Sequence, residues 1–184
     1  MNVATIMTNR LILRPLKMND VQVINEKIFT DENTEFMLFR GEQTIEETTA
    51  YVIKAVLEYN NNKPEFVEFG ITSNDILIGI VTAAKAKGKF AITGSSAIDR
   101  NTYELGWILD PDYKNKGFMR EAIEGVIEYS RKNGAKRFIA HADVRNISSI
   151  NLMEKLGMKR VNEIGTRKYP NGEKSFELMY EMIV

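Results

Sequence analysis

The chain contains no cysteine and a single histidine, His141, in 184 residues. Without cysteine there is no disulfide, no thiolate nucleophile and no cysteine-ligated metal. One imidazole is too few for a typical zinc site, so no metal is expected. Neither sign of charge is in excess: 25 basic residues stand against 25 acidic ones. No global field therefore draws the protein to nucleic acid or to an anionic membrane, and neither is expected as a partner. No apolar run approaches the ~20 residues of a membrane span, and the N-terminus lacks a signal-peptide core, so the default location is cytoplasmic. Prolines number only 4, and there is no Pro/Gly-rich linker, repeat or low-complexity tract. One domain over residues 1–184 is the economical reading. The hydrophobic fraction of 43% is enough for that domain to build a core without staples.

The pattern predicts α/β. Arg10–Leu16 reads as a strand closed by Pro15. Asn19 and Asp20 can cap a helix reaching about Ile28. Thr44 with Glu47 forms a capping box, opening a helix whose apolar positions are Ile45, Val52, Val56 and Leu57 and which stops at Asn60–Asn62. Glu65–Thr72 and Ile76–Ala84 read as strands joined by the turn Ser73-Asn74-Asp75. Thr102–Leu109 is a further strand. Phe118–Lys132 is the most regular helix, with a stripe of Met119, Ala122, Ile123, Val126 and Ile127 and a stop at Asn133-Gly134. A strand at Arg137–Val144, a helix at Asn146–Leu156 and a strand pair at Met158–Ile164 and Ser175–Met182 complete the order. Consecutive strands before the central helix imply antiparallel pairing, and the strand–helix–strand passage from Thr102 to Val144 implies one parallel, right-handed crossover. Lys85–Asn101 has no clear pattern and is left to serve an acceptor site or a homodimer contact.

The segment Tyr103–Ala122, YELGWILDPDYKNKGFMREA, carries most of the chemistry. A strand ends in a turn at Asp110-Pro111-Asp112, and a basic loop (Lys114, Asn115, Lys116, Gly117) then runs straight into a helix. The first turn of a helix has backbone N–H groups with no intrahelical partner, at the positive end of the macrodipole. Gly117 lets a ligand approach the backbone, Asn115 tolerates a left-handed conformation, and Lys114, Lys116 and Arg120 add charge. Together these can hold a phosphorylated small molecule, although a solvated loop with a helix-start glycine has the same sequence. No Gly-Lys-Ser/Thr follows, so nucleotide hydrolysis is not implied. Asn146 and Ser149 read first as an N-cap and the residue that closes its turn, and second as polar groups facing the same cleft. In the strand, alternation puts Glu104, Gly106 and Ile108 on one face and Tyr103, Leu105, Trp107 and Leu109 on the other. A carboxylate in a strand beside Trp107 invites a raised pKa and a base role; a solvated rung is the bland alternative. His141 reads as a satisfied structural histidine.

These pieces resemble the GCN5-related N-acetyltransferases, in particular the branch that includes ribosomal-protein N-terminal and spermidine acetyltransferases. The resemblance is carried by TNRLILRPLKMND, ELGWILDPDYKNKGFMREA and NISSINLMEKLGMKR in that order, and it spans nearly the whole chain. It implies a single-domain fold with a mixed, mostly antiparallel sheet, splayed in the middle and flanked by helices. It also implies acetyl-CoA as cosubstrate. Lys114, Gly117 and Met119 fall at the family's pyrophosphate-motif positions, where Lys114 and Met119 depart from its pattern. The amides of Lys114–Arg120, including Phe118, would hold the diphosphate. The strand would part from its neighbour at a bulge, and its exposed edge near Ile108 and Leu109 would pair with pantetheine. Asn146 would contact the pantetheine arm. The family's frequent tyrosine acid falls at Met153, which cannot donate a proton.

The implied reaction is direct attack on the thioester by a primary amine: a small molecule, a polyamine or a protein N-terminus. Glu104 would remove or relay the proton, an N–H near Leu109 would stabilise the oxyanion, and Ser149 would hydrogen-bond the leaving sulfur. The alternative is a non-catalytic acyl-CoA-binding or regulatory module on the same fold, to which Met119 and Met153 lend weight.

Overall fold

A computed structural model describes residues 4–37, 43–61, 64–86, 101–169 and 172–184, apart from the side chains of 162–164. Among the described residues eight strands form one sheet: β1 (Ile6–Met7), β2 (Ile12–Pro15), β3 (Phe66–Ser73), β4 (Ile76–Lys85), β5 (Thr102–Leu109), β6 (Arg137–Asp143), β7 (Lys159–Lys168) and β8 (Lys174–Ile183). Their spatial order is β1-β2-β3-β4-β5-β6-β8-β7. Every neighbouring pair is antiparallel except β5–β6, which is parallel. The helices are α1 (Val21–Val23), α2 (Asp31–Thr34), α3 (Ile45–Tyr59), α4 (Phe118–Lys132) and α5 (Ile147–Lys155). The α/β class, the mostly antiparallel sheet and the single parallel pair thus match the sequence reading.

Local chemistry explains the elements. The Thr44 hydroxyl accepts from the Glu47 amide while the Glu47 carboxylate accepts from the Thr44 amide, so α3 starts with both halves of its capping box. Asn74 and Asp75 both have positive φ (49° and 63°) in the β3–β4 turn, the twist that suits a two-residue hairpin loop. Gly134 supplies the left-handed residue after α4.

Two elements differ from expectation. The first helical stretch begins at Met18, not after Asn19-Asp20, because Asp20 caps it from inside, as its third residue. Its carboxylate accepts from the Lys17 amide and takes a two-pronged pair from Arg14, at 2.8 Å on each side. The inward face of α3 is Thr48, Val52 and Ala55, whereas Ile45 and Leu57 point to solvent.

Two cores sandwich the sheet. On one side Phe69, Val81, Leu105 and Leu109 pack against Met119, Ala122, Ile123 and Val126 of α4, with Ala140 and Met153. On the other, Ile80 and Ile108 pack with Leu16, Ile24, Ile28, Val52 and Ala55. Strand alternation places Leu105 and Leu109 on one face and Ile108 on the other, as the sequence predicted.

The sheet opens in its middle. β5 and β6 share only the pairs Thr102↔Arg137, Tyr103↔Phe138 and Glu104↔Ile139. Beyond them β5 continues to Leu109 alongside β4, and β6 continues to Asp143 alongside β8. The expected bulge in β5 is not there: its register with β4 is unbroken from Lys85↔Tyr103 to Gly79↔Leu109. The irregularity lies one strand away, at Ile71/Thr72 against β4. The strands part because β6 follows β8.

Candidate active site

β5 links two features, the point where it parts from β6 and the loop that opens α4. At its outer end, Asp110 caps a 3-10 turn (Pro111–Tyr113) by accepting from the Asp112 amide. Asn115 (φ 61°) and Gly117 (φ 78°) are both left-handed. Gly117 is the N-cap of α4 and offers no side chain to its amides. Among the described residues no hydrogen bond engages the amides of residues 115–120; the first to be satisfied is that of Glu121, on the Gly117 carbonyl. Met119, the departure that seemed to crowd this turn, buries its side chain in the α4 core. Its bulk goes inward, and its N–H stays with the unpaired set.

The loop cations differ in availability. The Lys116 ammonium is bound back to the Asp112 carbonyl at 2.8 Å, and Arg120 pairs with Glu124 along the helix at 2.8 Å. The Lys114 side chain is exposed and forms no ion pair or hydrogen bond among the described residues. The Lys114 amide, expected among the diphosphate donors, instead donates to the Pro111 carbonyl at 3.1 Å, so the open run starts at Asn115. Arg10, unnoticed in the sequence, straps this loop. It donates to the Lys116 carbonyl and to Glu121 and lies over the Phe118 ring, 4.5 Å from its centroid. Glu121 also accepts from the Thr8 hydroxyl and the Arg10 amide.

The hydrogen-bond phase of β5 decides which residues face the gap. The Thr102 carbonyl accepts from Ala86, and the Asp110 amide donates to Ile78, both on the β4 side. Alternation between them turns the backbone of Ile108 toward β4, and that of Trp107 and Leu109 toward the gap. Pairing with a ligand near Ile108 through its main chain is thereby corrected to Trp107 and Leu109. The Leu109 carbonyl is held by the Asn33 carboxamide at 2.7 Å, which leaves its N–H side open.

Across the gap, the Asn146 carboxamide oxygen caps α5 through the Ser149 amide at 3.1 Å. Its NH₂ and the Ser149 hydroxyl have no partner among the described residues, so capping and a ligand contact are compatible. Met153, at the position of the family's tyrosine acid, is fully buried in the core.

At the inner end stands Glu104. Trp107 is not its neighbour, because it packs on the opposite face with the α4 core. The Glu104 carboxylate instead meets His141, Oε1 to Nδ1 at 3.0 Å. His141 is therefore only half satisfied: its side chain is 6% exposed, and Nε2 is buried without a partner among the described residues. Further carboxylates share this face. Glu68, on β3, accepts from Thr82 at 2.5 Å, and burial raises its pKa. Burial works against the Asp143 carboxylate, yet hydrogen bonds from Arg145 and Tyr169 carry its pKa well below the usual value. Burial, and then Asp143 itself, pushes the Tyr169 hydroxyl up to about 12. Alternation placed Glu104 and His141 on faces of separate strands; only the β5–β6 register brings them together.

Residues 10–159 match the family model described as an acetyltransferase (GNAT) domain. The chain belongs to the GNAT acetyltransferase family. Among its relatives, an uncharacterized N-acetyltransferase, YnaD, of Bacillus subtilis (strain 168) is 32% identical over 156 residues, 84% of this chain and 82% of that protein. A GNAT-family acetyltransferase from Bacillus anthracis superposes with a TM-score of 0.78 at 26% identity, covering 98% of each chain. A ribosomal alpha-N-protein acetyltransferase in complex with coenzyme A superposes at 0.77 with 17% identity, again over 98% of each chain, and shares the fold. Among the described residues, no helix of this GNAT chain is long and apolar enough to cross a membrane.

Proposed function

We propose that this GNAT acetyltransferase moves an acetyl group from acetyl-CoA to a primary amine, with no covalent enzyme intermediate. The observation that carries the reading is the run of unpaired amides over residues 115–120 at the positive end of α4, continuous with an open strand edge at Trp107 and Leu109. A diphosphate needs several donors converging on it, and a β-alanine-containing arm needs a strand edge of alternating donors and acceptors. The site supplies both in that order. Lys114 adds the free cation, the Asn146 NH₂ reaches toward the arm, and the Leu109 N–H is the donor for the oxyanion. Ser149 holds the departing sulfur.

An amine attacks only when neutral. An α-amino group has a pKa near 8 and a lysine-type amine near 10.4, so a base is worth more for a polyamine or small alkylamine than for a protein N-terminus. Glu104, at the inner end of the gap, takes part in that proton transfer, directly or by relay through a neighbouring group. The N-acetyltransferase name of the 32%-identical relative supports nitrogen as the acceptor atom.

Calorimetry with acetyl-CoA at near-physiological salt tests the donor, and CoA release across a panel of alkylamines, polyamines and N-terminal peptides tests the acceptor. Saturable binding with CoA release for at least one amine is expected. No binding heat, or binding with no release for any amine, would overturn the respective half.

A further inference from the structure

We propose that His141 is the proton acceptor of the reaction: Glu104 holds its Nδ1, and Nε2 faces the acceptor nitrogen directly or through one water. This rests on reading the β5–β6 gap as the site of acetyl transfer.

Position comes first. Glu104↔Ile139 is the last pair between β5 and β6. His141 is the next residue of β6 on the same face of the sheet as Glu104, so its ring stands where the strands part. A thioester delivered along the open edge of β5 ends there.

The ring's hydrogen bonding comes second. An ionised carboxylate only accepts, so a 3.0 Å contact between Glu104 Oε1 and His141 Nδ1 puts the proton of neutral imidazole on Nδ1. The lone pair then resides on Nε2. That atom is buried with no partner among the described residues, in a side chain only 6% exposed. Buried polar atoms are almost always partnered, and an exception of this kind points to a group that the bound substrate brings.

The surrounding charges come third. From β8, Glu177 and Glu181 flank Met179, the residue opposite His141. On β6 itself, Asp143 and Arg137 share its face. Asp143 is paired with Arg145 at 2.8 Å, Glu181 with Arg137 at 2.5 Å, and Glu177 with Arg167. Glu68, farther off on β3, is bonded to Thr82. Each of those acids has an arginine or a hydroxyl; Glu104 alone among them has an imidazole. Histidine also suits the task better than a carboxylate. An imidazole is intrinsically more basic than a carboxylate, and so a better match for taking a proton from an ammonium.

The step balances. The ammonium passes one proton to Nε2, and the freed lone pair forms the C–N bond. The electron pair of the C–S bond leaves on the CoA sulfur, which takes the second proton from the nitrogen, and the imidazolium returns its proton to solvent.

The chain's one histidine gives a unique ring signal in tag-free protein. Long-range ¹⁵N–¹H spectra are expected to show the Nδ1–H tautomer above pH 7, and Glu104→Ala, which removes the acceptor, is expected to abolish that preference. His141→Asn keeps a donor for Glu104 but removes Nε2. It is expected to lower kcat/KM for an alkylamine by about 10²–10³-fold and to erase the acid limb of the pH profile, with melting temperature and acetyl-CoA affinity unchanged. An Nε2–H tautomer, or a His141→Asn enzyme within threefold of wild type with the same pH profile, overturns the proposal alone. A wild type that binds acetyl-CoA yet acetylates no amine overturns the acetyl-transfer reading and this proposal together.

Discussion

The two ends of the gap are made of different material. At the α4 end the groups on offer belong to the main chain: amides over residues 115–120 and the edge of β5 at Trp107 and Leu109. At the inner end they belong to side chains delivered by different strands: Glu104 from β5, and His141 and Asp143 from β6. A main-chain site asks only that the backbone hold its shape, so it absorbs changes of side chain. Met119 illustrates this, since its side chain lies in the core while its N–H faces out. A side-chain site has no such freedom, and each acid there depends on a specific partner.

The largest expected effect belongs to the side-chain end. Asp143 is fully buried as a side chain, 0% exposed against 43% for Arg145, and it also accepts from the Tyr169 hydroxyl at 2.6 Å. Asp143→Asn removes the charge and one of the two oxygens that accept from Arg145 and Tyr169, and is expected to cost about 3 kcal/mol, as for breaking a buried pair. The sign of its pH dependence follows from the lowered carboxyl pKa. Such a group stabilises the fold above its unfolded value, and that contribution is lost as pH falls through the folded value. In urea titrations the gap between wild type and Asp143→Asn should hold through neutrality and shrink only in strong acid. A gap that widens toward low pH would contradict the assignment.

At the main-chain end, Gly117→Val and Met119→Leu separate shape from side chain. Valine at φ 78° meets the left-handed penalty of about 1–2 kcal/mol, and acetyl-CoA affinity should fall by the corresponding factor, about five- to thirtyfold. Met119→Leu repacks one buried side chain and leaves the amides in place, so affinity should stay within about threefold. Calorimetry on both reads the difference; a Met119→Leu loss as large as that of Gly117→Val would break the comparison.

How legible these ends were follows from the same contrast. The α4 end was legible because it is local: the strand, the Asp-Pro turn, the left-handed pair Asn115 and Gly117 and the helix stripe all lie within Tyr103–Lys132. The inner end was not. Glu104 could be placed on its face by alternation, but pairing with His141 depends on the register of two parallel strands separated by a whole helix. Trp107, adjacent in sequence, was the wrong neighbour for that reason. Arg10 and Asn33 escaped notice because they act across 111 and 76 residues of chain, on Glu121 and on the Leu109 carbonyl, with no local pattern to mark either. The edge assignment moved from Ile108 to Trp107 because side-chain alternation alone does not say which neighbouring strand each backbone group faces.

Glu68 tests whether burial, not a partner, governs an acid on the inner face. Its carboxyl is raised by desolvation, against the opposing hydrogen bond from Thr82. A carboxyl raised in the fold contributes stability below its unfolded pKa and loses it as pH rises through the folded value. Glu68→Gln keeps an acceptor for Thr82 and removes the charge. It is therefore expected to match wild type in acid and to be the more stable protein at pH 8, by about 1.4 kcal/mol for each unit of upward shift. A Glu68→Gln protein less stable at pH 8 would mean that Glu68 is held ionised by a partner.

The finest distinction lies among the loop cations. Lys116 is already committed to the Asp112 carbonyl and lies over the Tyr113 ring, 5.3 Å from its centroid, whereas Lys114 is exposed and unpaired among the described residues. Exposed charges contribute about 0.2–1 kcal/mol, so Lys114→Met should weaken acetyl-CoA binding by about 1.4- to fivefold. It should also flatten the salt dependence, because that contribution is the one screened. Lys116→Met should leave both nearly unchanged, and its effect should be a small loss of loop rigidity. The reverse ranking would mean that Lys116 leaves Asp112 when the ligand binds, and that the loop is reshaped by its ligand.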